Sequence, residues 1–163
     1  MAKKASVQEK ITLRGFYRIN LINPDGSIAG DSKWRENQMT QDGIDQYICR
    51  AMAGMAGSKS VSHVALGTGA APASSDTALA GEIMGSTQRL TVSPSTIASR
   101  TLQLTAAFLS ANSFTTATVT LQNVGLFNSS SAGTLLAGNT YATSSCATNQ
   151  SVNVTYQLRF GTA

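Results

Sequence analysis

Between Ile11 and Ile22 the run ITLRGFYRINLI alternates. Leu13, Tyr17, Ile19 and Leu21 share one parity, and Thr12, Arg14, Arg18 and Asn20 share the other. Side chains along a strand point to opposite faces in turn, so this pattern predicts a strand with one wet face. NPDG follows, where Pro24 fixes φ and Gly26 is free to take positive φ, which predicts a turn. The chain is expected to return as a hairpin through Ser27 to Trp34.

The period then changes. In TQDGIDQYICRAMAGMAG, Ile44, Tyr47, Ile48, Ala51 and Met52 fall at helical spacing and predict one amphipathic helix, from about Gln41 to Ala53, with that stripe on the sheet. Thr40 or Asp42 can cap its start, and Gly54 or Gly57 can end it. Asp45 in the first turn and Arg50 in the last both suit the helix dipole.

From Val61 onward the pattern is β with turns. VSHVAL predicts a short strand, and QRLTVS a second that ends before Pro94. RTLQLTAAF sets Leu102, Leu104, Ala106 and Phe108 against Thr101, Gln103 and Thr105. TTATVTLQNVGLF sets Ala117, Val119 and Leu121 against Thr116, Thr118 and Thr120. TLLAGNTYAT reads as a strand interrupted by Gly138. SVNVTYQLRF closes the series with Val152, Val154, Tyr156, Leu158 and Phe160 inward. Many short strands with turn-rich gaps predict a mainly β fold, an antiparallel sandwich or jelly-roll-like barrel with the one helix. No repeat or second boundary interrupts it, so residues 11–163 read as a single β-rich domain behind a flexible N-terminal arm, residues 1–10.

Composition narrows the function. The chain has 163 residues, 42% of them hydrophobic and only 12% charged, about half the usual share of roughly 25%. No apolar run approaches the roughly 18 residues of a membrane span. The segment MAKKASVQEK is basic, but no apolar run follows it, so it does not read as a secretory signal. The net charge is +4, with most charges in the first fifty residues and none, not even a His, from Thr101 to Leu158. Mixed charges keep a lone surface soluble, so this neutral stretch points to a surface that touches other protein, with a neutral β-surface kept soluble by its hydroxyls as the alternative. Thr116, Thr118, Thr120 and Gln122 are the candidate subunit contact. Nucleic acid is not expected as a partner: Lys and Arg are interleaved with acids, and the aromatics form no stacking motif. Lys3 and Lys4 read as part of a solvated tail.

The stretch HVALGTGAAPASSDTALAGE resembles a phosphate loop at first sight. A Walker loop needs a Lys that is missing here, and Pro72 stands where a dinucleotide fingerprint needs its third glycine. His63 is the single histidine and reads as structural. One His with the distant Cys49 and Cys146 does not make a metal site, and those cysteines read as free, buried thiols. Asp76 and Glu82 are the only acids after residue 50, too few for a convincing carboxylate pair. Trp34 reads as a core plug, with sugar contact as its alternative. No catalytic residue, cofactor or metal ligand emerges.

Three passages together carry a resemblance. KWRENQMTQDGIDQYI runs from Trp-x-x-Asn through Thr and Gly into a helix, VALGTGAAPASSDTALAGE holds Gly-Thr-Gly, Pro-Ala and Asp-Thr-x-Leu, and VGLFNSSSAGTLLAGNTYA joins Gly-Leu-Phe to Gly-Thr-Leu-Leu-Ala. With the alternating final strand, they resemble small virion structural proteins of tailed bacteriophages over Phe16 to Phe160. In GEIMGSTQR the arginine stands further behind the glutamate than the resemblance implies, which leaves a Glu82–Arg89 pairing open. The resemblance implies a non-enzymatic subunit, made in the bacterial host cytoplasm and located in the virion. Its partners would be copies of itself and other virion proteins. A tail or tail-fibre component is the leading expectation, a capsid decoration protein the alternative, and a module binding host-surface glycan the alternative of another class.

Overall fold

The computed structural model describes residues 11–83, 89–98 and 100–162. The expected N-terminal arm, residues 1–10, lies outside them. In chain order the strands are β1 (Ile11–Ile22), β2 (Ile28–Asp31), β3 (Arg35–Glu36), β4 (Gln38–Met39), β5 (His63–Gly67), β6 (Leu90–Thr91), β7 (Ser93–Ala98), β8 (Thr101–Phe108), β9 (Val119–Phe127), β10 (Leu135–Cys146) and β11 (Ser151–Thr162). They form two antiparallel sheets. Sheet A runs β2-β1-β11-β8-β7 with β3 also on β1, and sheet B runs β4-β10-β9-β5-β6. The sheets face each other as a β-sandwich, as the alternating pattern predicted.

The longest pairing joins β1 to β11 without a break, from Ile11 opposite Thr162 to Ile22 opposite Ser151. Tyr17, Ile19 and Leu21 of β1 meet Val152, Val154 and Tyr156 of β11 in the core, opposite Val64, Leu66, Val124, Leu126 and Tyr141 of sheet B. Four of the core rings are tyrosines, Tyr17, Tyr47, Tyr141 and Tyr156. Tyr17 packs against Tyr156 at 5.7 Å and against Tyr141 at 6.5 Å between ring centroids. The Tyr17 hydroxyl donates across the sandwich to the Thr140 carbonyl, so a polar tip inside the core is satisfied by the facing sheet. Burial pushes the Tyr17 pKa up to about 12.

Sheet B is buried on both sides at its centre. Every residue from Asn123 to Phe127 is buried, and Ala65, Leu79, Phe127 and Leu135 form a second small apolar cluster on its outer side. The passage from Thr68 to Glu82 covers that side. Leu121 belongs to the inner core, as do Val124 and Leu126. That combination requires the strand to change side between Leu121 and Val124, and its register with β10 is irregular between Thr140 and Ser144.

Several local expectations are corrected. The helix is present over twelve residues, but it is α-helical only at Gln41–Gly43 and Arg50–Met52; Ile44–Cys49 between them is π-helical. A π turn needs more residues than 3.6, so a stripe drawn for an α-helix is thrown off line. Tyr47 is buried and Ile48 half-buried, while Ile44, Ala51 and Met52 face solvent. The strand expected in QRLTVS is β6, Leu90–Thr91, and it ends before Pro94; the strand not expected is β7, an edge strand that includes Pro94, where a residue without an N–H is tolerated. Gly138 does not interrupt β10. It is needed there because a Cβ would stand 2.7 Å from the Val124 carbonyl oxygen and 2.9 Å from Pro72 Cγ. Phe160 is 43% exposed at the far end of β11, beyond the last buried core position, Leu158. Both cysteines are free, but only Cys146, at the end of β10, is buried; Cys49 is exposed on the helix.

Candidate assembly surface

The expected contact residues lie where β9 leaves the shelter of its neighbour. β5 pairs with β9 only from Asn123 to Phe127, because its own chain turns away at Gly67. Ahead of Asn123, Val119, Thr120 and Leu121 pair with Cys146, Ser145 and Ser144 of β10 on one side. Among the described residues no strand pairs with Val119–Gln122 on the other. Thr116, Thr118 and Thr120 are exposed. Thr116 and Thr118 precede the strand rather than belonging to it, and Ala117 is exposed instead of inward. Gln122 is half-buried, at the point where the strand changes side.

Elsewhere the sandwich guards its edges. β7 carries Pro94 and a register irregularity between Thr96 and Ala98. The β2–β3 side carries Asp31, Lys33, Arg35 and Glu36. β4 and β6 are two residues long. Proline, bulges, charges and shortness are the usual devices against strand-to-strand association. Val119–Gln122 carries no proline and no charge; its irregularity is the register shift with β10 between Thr140 and Ser144, opposite Asn123 and Leu121.

The glycine passage is held by its own backbone and by Asn123. The Thr68 and Gly69 amides donate to the Gly81 and Ala80 carbonyls, so the chain leaves β5 and returns beside itself. A Cβ on Gly69 would lie 2.5 Å from the Ala80 carbonyl oxygen, which is why glycine stands there. The Asn123 side chain donates to both Ala70 and Ala80 carbonyls at 2.9 Å and ties the passage to β9. Asp76 accepts from the Ala73 amide, closing a local turn. Among the described residues no group of three or more His, Cys, Asp or Glu is placed to hold a metal ion. His63 opens β5, half-buried, with Nδ1 2.7 Å from Ser62 Oγ; burial, with Arg89 nearby, lowers its pKa.

Glu82 and Arg89 do pair. Two parallel hydrogen bonds join them, and the Arg89 guanidinium carbon lies 3.4 Å from the centre of the Phe127 ring. Arg89 also donates to the Ser129 and Ala132 carbonyls. It thus anchors the loop after β9, a task that the spacing of seven residues hid.

Trp34 is not a core plug. Its ring is 41% exposed at the outer side of sheet A. The Arg159 guanidinium stands 4.3 Å from the Phe16 ring centre and 5.9 Å from that of Trp34. Arg14 also reaches Phe16 while making a fork with Glu36. Asp31 accepts from Arg18 and Lys33, which hold its carboxyl far below the usual range. Sheet A therefore presents a charged, partly aromatic outer face, and the β9 rim a neutral one.

No helix among the described residues is long and apolar enough to cross a membrane. Comparison of the chain with protein-family models, with curated proteins and with solved structures gives no match.

Proposed function

We propose that this protein is a non-enzymatic structural subunit of a tailed-phage virion that works by joining its β-rich surfaces to neighbouring subunits. The observation that carries the assembly part is the uncharged, proline-free rim at Val119–Gln122, with no strand paired on its free side among the described residues and with Thr116, Thr118 and Thr120 exposed beside it. Hydroxyl groups cross an interface at much lower desolvation cost than charges. The virion part is supported by the sequence passages that resemble small phage structural proteins, and within it a tail or tail-fibre position is preferred to head decoration.

The test replaces Thr118 and Thr120 together with Lys. Both positions are exposed, so the subunit should fold with unchanged melting, while attachment to particles weakens. Attachment equal to that of the parent would move the contact elsewhere. Labelling the subunit and imaging particles by electron microscopy separates tail from head, and absence from particles rejects the virion reading. A second reading, glycan binding, is favoured by the exposed Trp34 ring beside Arg159. Glycan-array binding that disappears in Trp34→Ala would establish it.

A further inference from the structure

We infer that the outer face of sheet A holds a recognition site for a carboxylate-bearing sugar unit, with Arg159 as its anion-binding group and Trp34 as its stacking surface. The inference rests on the glycan reading above and names the class of glycan. Arg159 is exposed, yet its guanidinium has partners that orient it. It stands 4.3 Å from the centre of the Phe16 ring, and its Nε and Nη2 both donate to Gln157 Oε1, at 3.1 and 2.6 Å. Gln157 is only 6% exposed and is held in turn by Gln103, whose Oε1 accepts from Gln157 Nε2 at 3.0 Å. Arg159 Nη1 has no hydrogen-bond partner among the described residues, and no carboxylate among them pairs with this arginine. Arg14 makes the contrast. It lies 5.4 Å from the centre of the same ring, but Glu36 already takes its fork. An oriented guanidinium that still lacks its anion offers a carboxylate charge-assisted hydrogen bonds at little ordering cost.

The surroundings select a sugar as the occupant. β7, β8 and β11 together hold one charged residue, Arg159. Beside it lie amide and hydroxyl groups, with Gln157 opposite Gln103, Gln103 opposite Ser95 and Thr155 opposite Thr105. Trp34 lies on the other flank, toward β1, 41% exposed and with its ring centre 5.9 Å from the guanidinium. A sugar acid carries one negative group, several hydroxyls and a flat C–H face. These match one guanidinium, neutral polar groups and an open aromatic ring. A nucleic acid brings a phosphate at every unit and needs a row of cations. A peptide takes much of its hold from free backbone groups at a sheet edge; here β1, β11 and β8 are each paired on both sides.

The test uses the whole chain on an array of short oligosaccharides, in which glucuronate, galacturonate and sialic acid chains stand beside neutral glucans and mannans. Acidic chains should bind and neutral ones should not, and methyl esterification of the carboxylates should abolish binding. Arg159→Gln should abolish it as well. Arg159→Lys keeps the charge but loses the planar fork, and should weaken binding about tenfold. Trp34→Ala should weaken it to a similar degree. These positions are exposed, so the three variants should melt as the parent does. In the parent, added glucuronate should shift the Arg159 Nε–H and Trp34 indole N–H resonances, a readout that needs no variant. Equal binding of neutral and acidic chains overturns the inference and leaves the glycan reading standing. Binding of no chain at all removes both. Acidic binding that is unchanged in Arg159→Gln, or matched by polyglutamate or single-stranded DNA, also overturns the inference. None of these outcomes bears on the Val119–Gln122 rim.

Discussion

Glu82 grips Arg89 through two parallel hydrogen bonds, Nε to Oε1 at 2.6 Å and Nη2 to Oε2 at 2.9 Å, with side chains only 11% and 6% exposed. Removing one partner of a buried pair strands the other, which costs about 3–5 kcal/mol. Glu82→Gln is therefore expected to lower the urea midpoint sharply. Replacing both residues by apolar side chains should cost less than the single change, because no charge is left behind. Equal losses for the single and double variants would show that packing on Phe127, not the pair, carries the effect.

Asn123→Ala should loosen the glycine passage. The side chain donates to two carbonyls on opposite arms of that passage, Ala70 and Ala80. Leaving buried carbonyls unmet costs about 1–3 kcal/mol. Hydrogen exchange should rise between Thr68 and Gly81 and stay unchanged in β1 and β11. A rise spread evenly over the chain would contradict this.

The helix offers a graded test. Tyr47 donates its hydroxyl to the Thr134 carbonyl, Ile48 packs on the core, and Ile44 is 46% exposed. Ile44→Asp should change stability by no more than about 0.5 kcal/mol, and Ile48→Asp should cost about 1–3 kcal/mol. Thermal melts of the two variants decide it, and a larger loss for Ile44→Asp would mean that the α-helical stripe holds after all.

The thiols should differ in reactivity. Burial pushes the Cys146 pKa up to about 11, whereas Cys49 is exposed. In native protein at neutral pH a small maleimide should modify Cys49 alone, and Cys146 only in denaturant. Because the folded-state pKa is raised, Cys146 favours the folded form increasingly little as pH climbs. The contribution is full below the ordinary thiol pKa of about 8.5 and declines as pH rises through it. Replacing Cys146 with Ala should flatten that decline.

Asp31 works in the opposite sense. Hydrogen bonds from Arg18 and Lys33 hold its pKa below the ordinary value of about 3.9. Its support of the fold is complete above that ordinary value and is lost as pH falls toward the folded-state one. Urea midpoints followed downward from neutral pH should fall less steeply in Asp31→Asn than in the parent.

Where one face of a strand meets water, the sequence is a good guide. β1 and β8 alternate as written, and β11 does so as far as Tyr156, so the buried partners Tyr17, Leu104 and Val154 were legible from parity alone; beyond Tyr156, Gln157 is buried and Phe160 exposed. Parity loses its meaning where both faces are covered. From Asn123 to Phe127 the polar Asn123 is as buried as Val124, because a passage some fifty residues earlier lies over it. Helical spacing misled for a related reason: it assumes 3.6 residues per turn, and the π segment around Tyr47 breaks that count. The Glu82–Arg89 pair depends on how the chain between them travels, which composition does not encode. Of the proposed contact, the neutrality was visible in the sequence; the missing neighbour beside Val119–Gln122 was not, since it follows from where β5 turns away.

The passage laid over sheet B has a further consequence. It closes one broad side of the slab over Asn123–Phe127, while among the described residues no such passage lies over the other broad side, with its arginines and aromatic rings. The subunit thus has a front and a back that cannot be interchanged. For any copies that met through these sides, front-to-front, back-to-back and front-to-back would be three chemically distinct contacts.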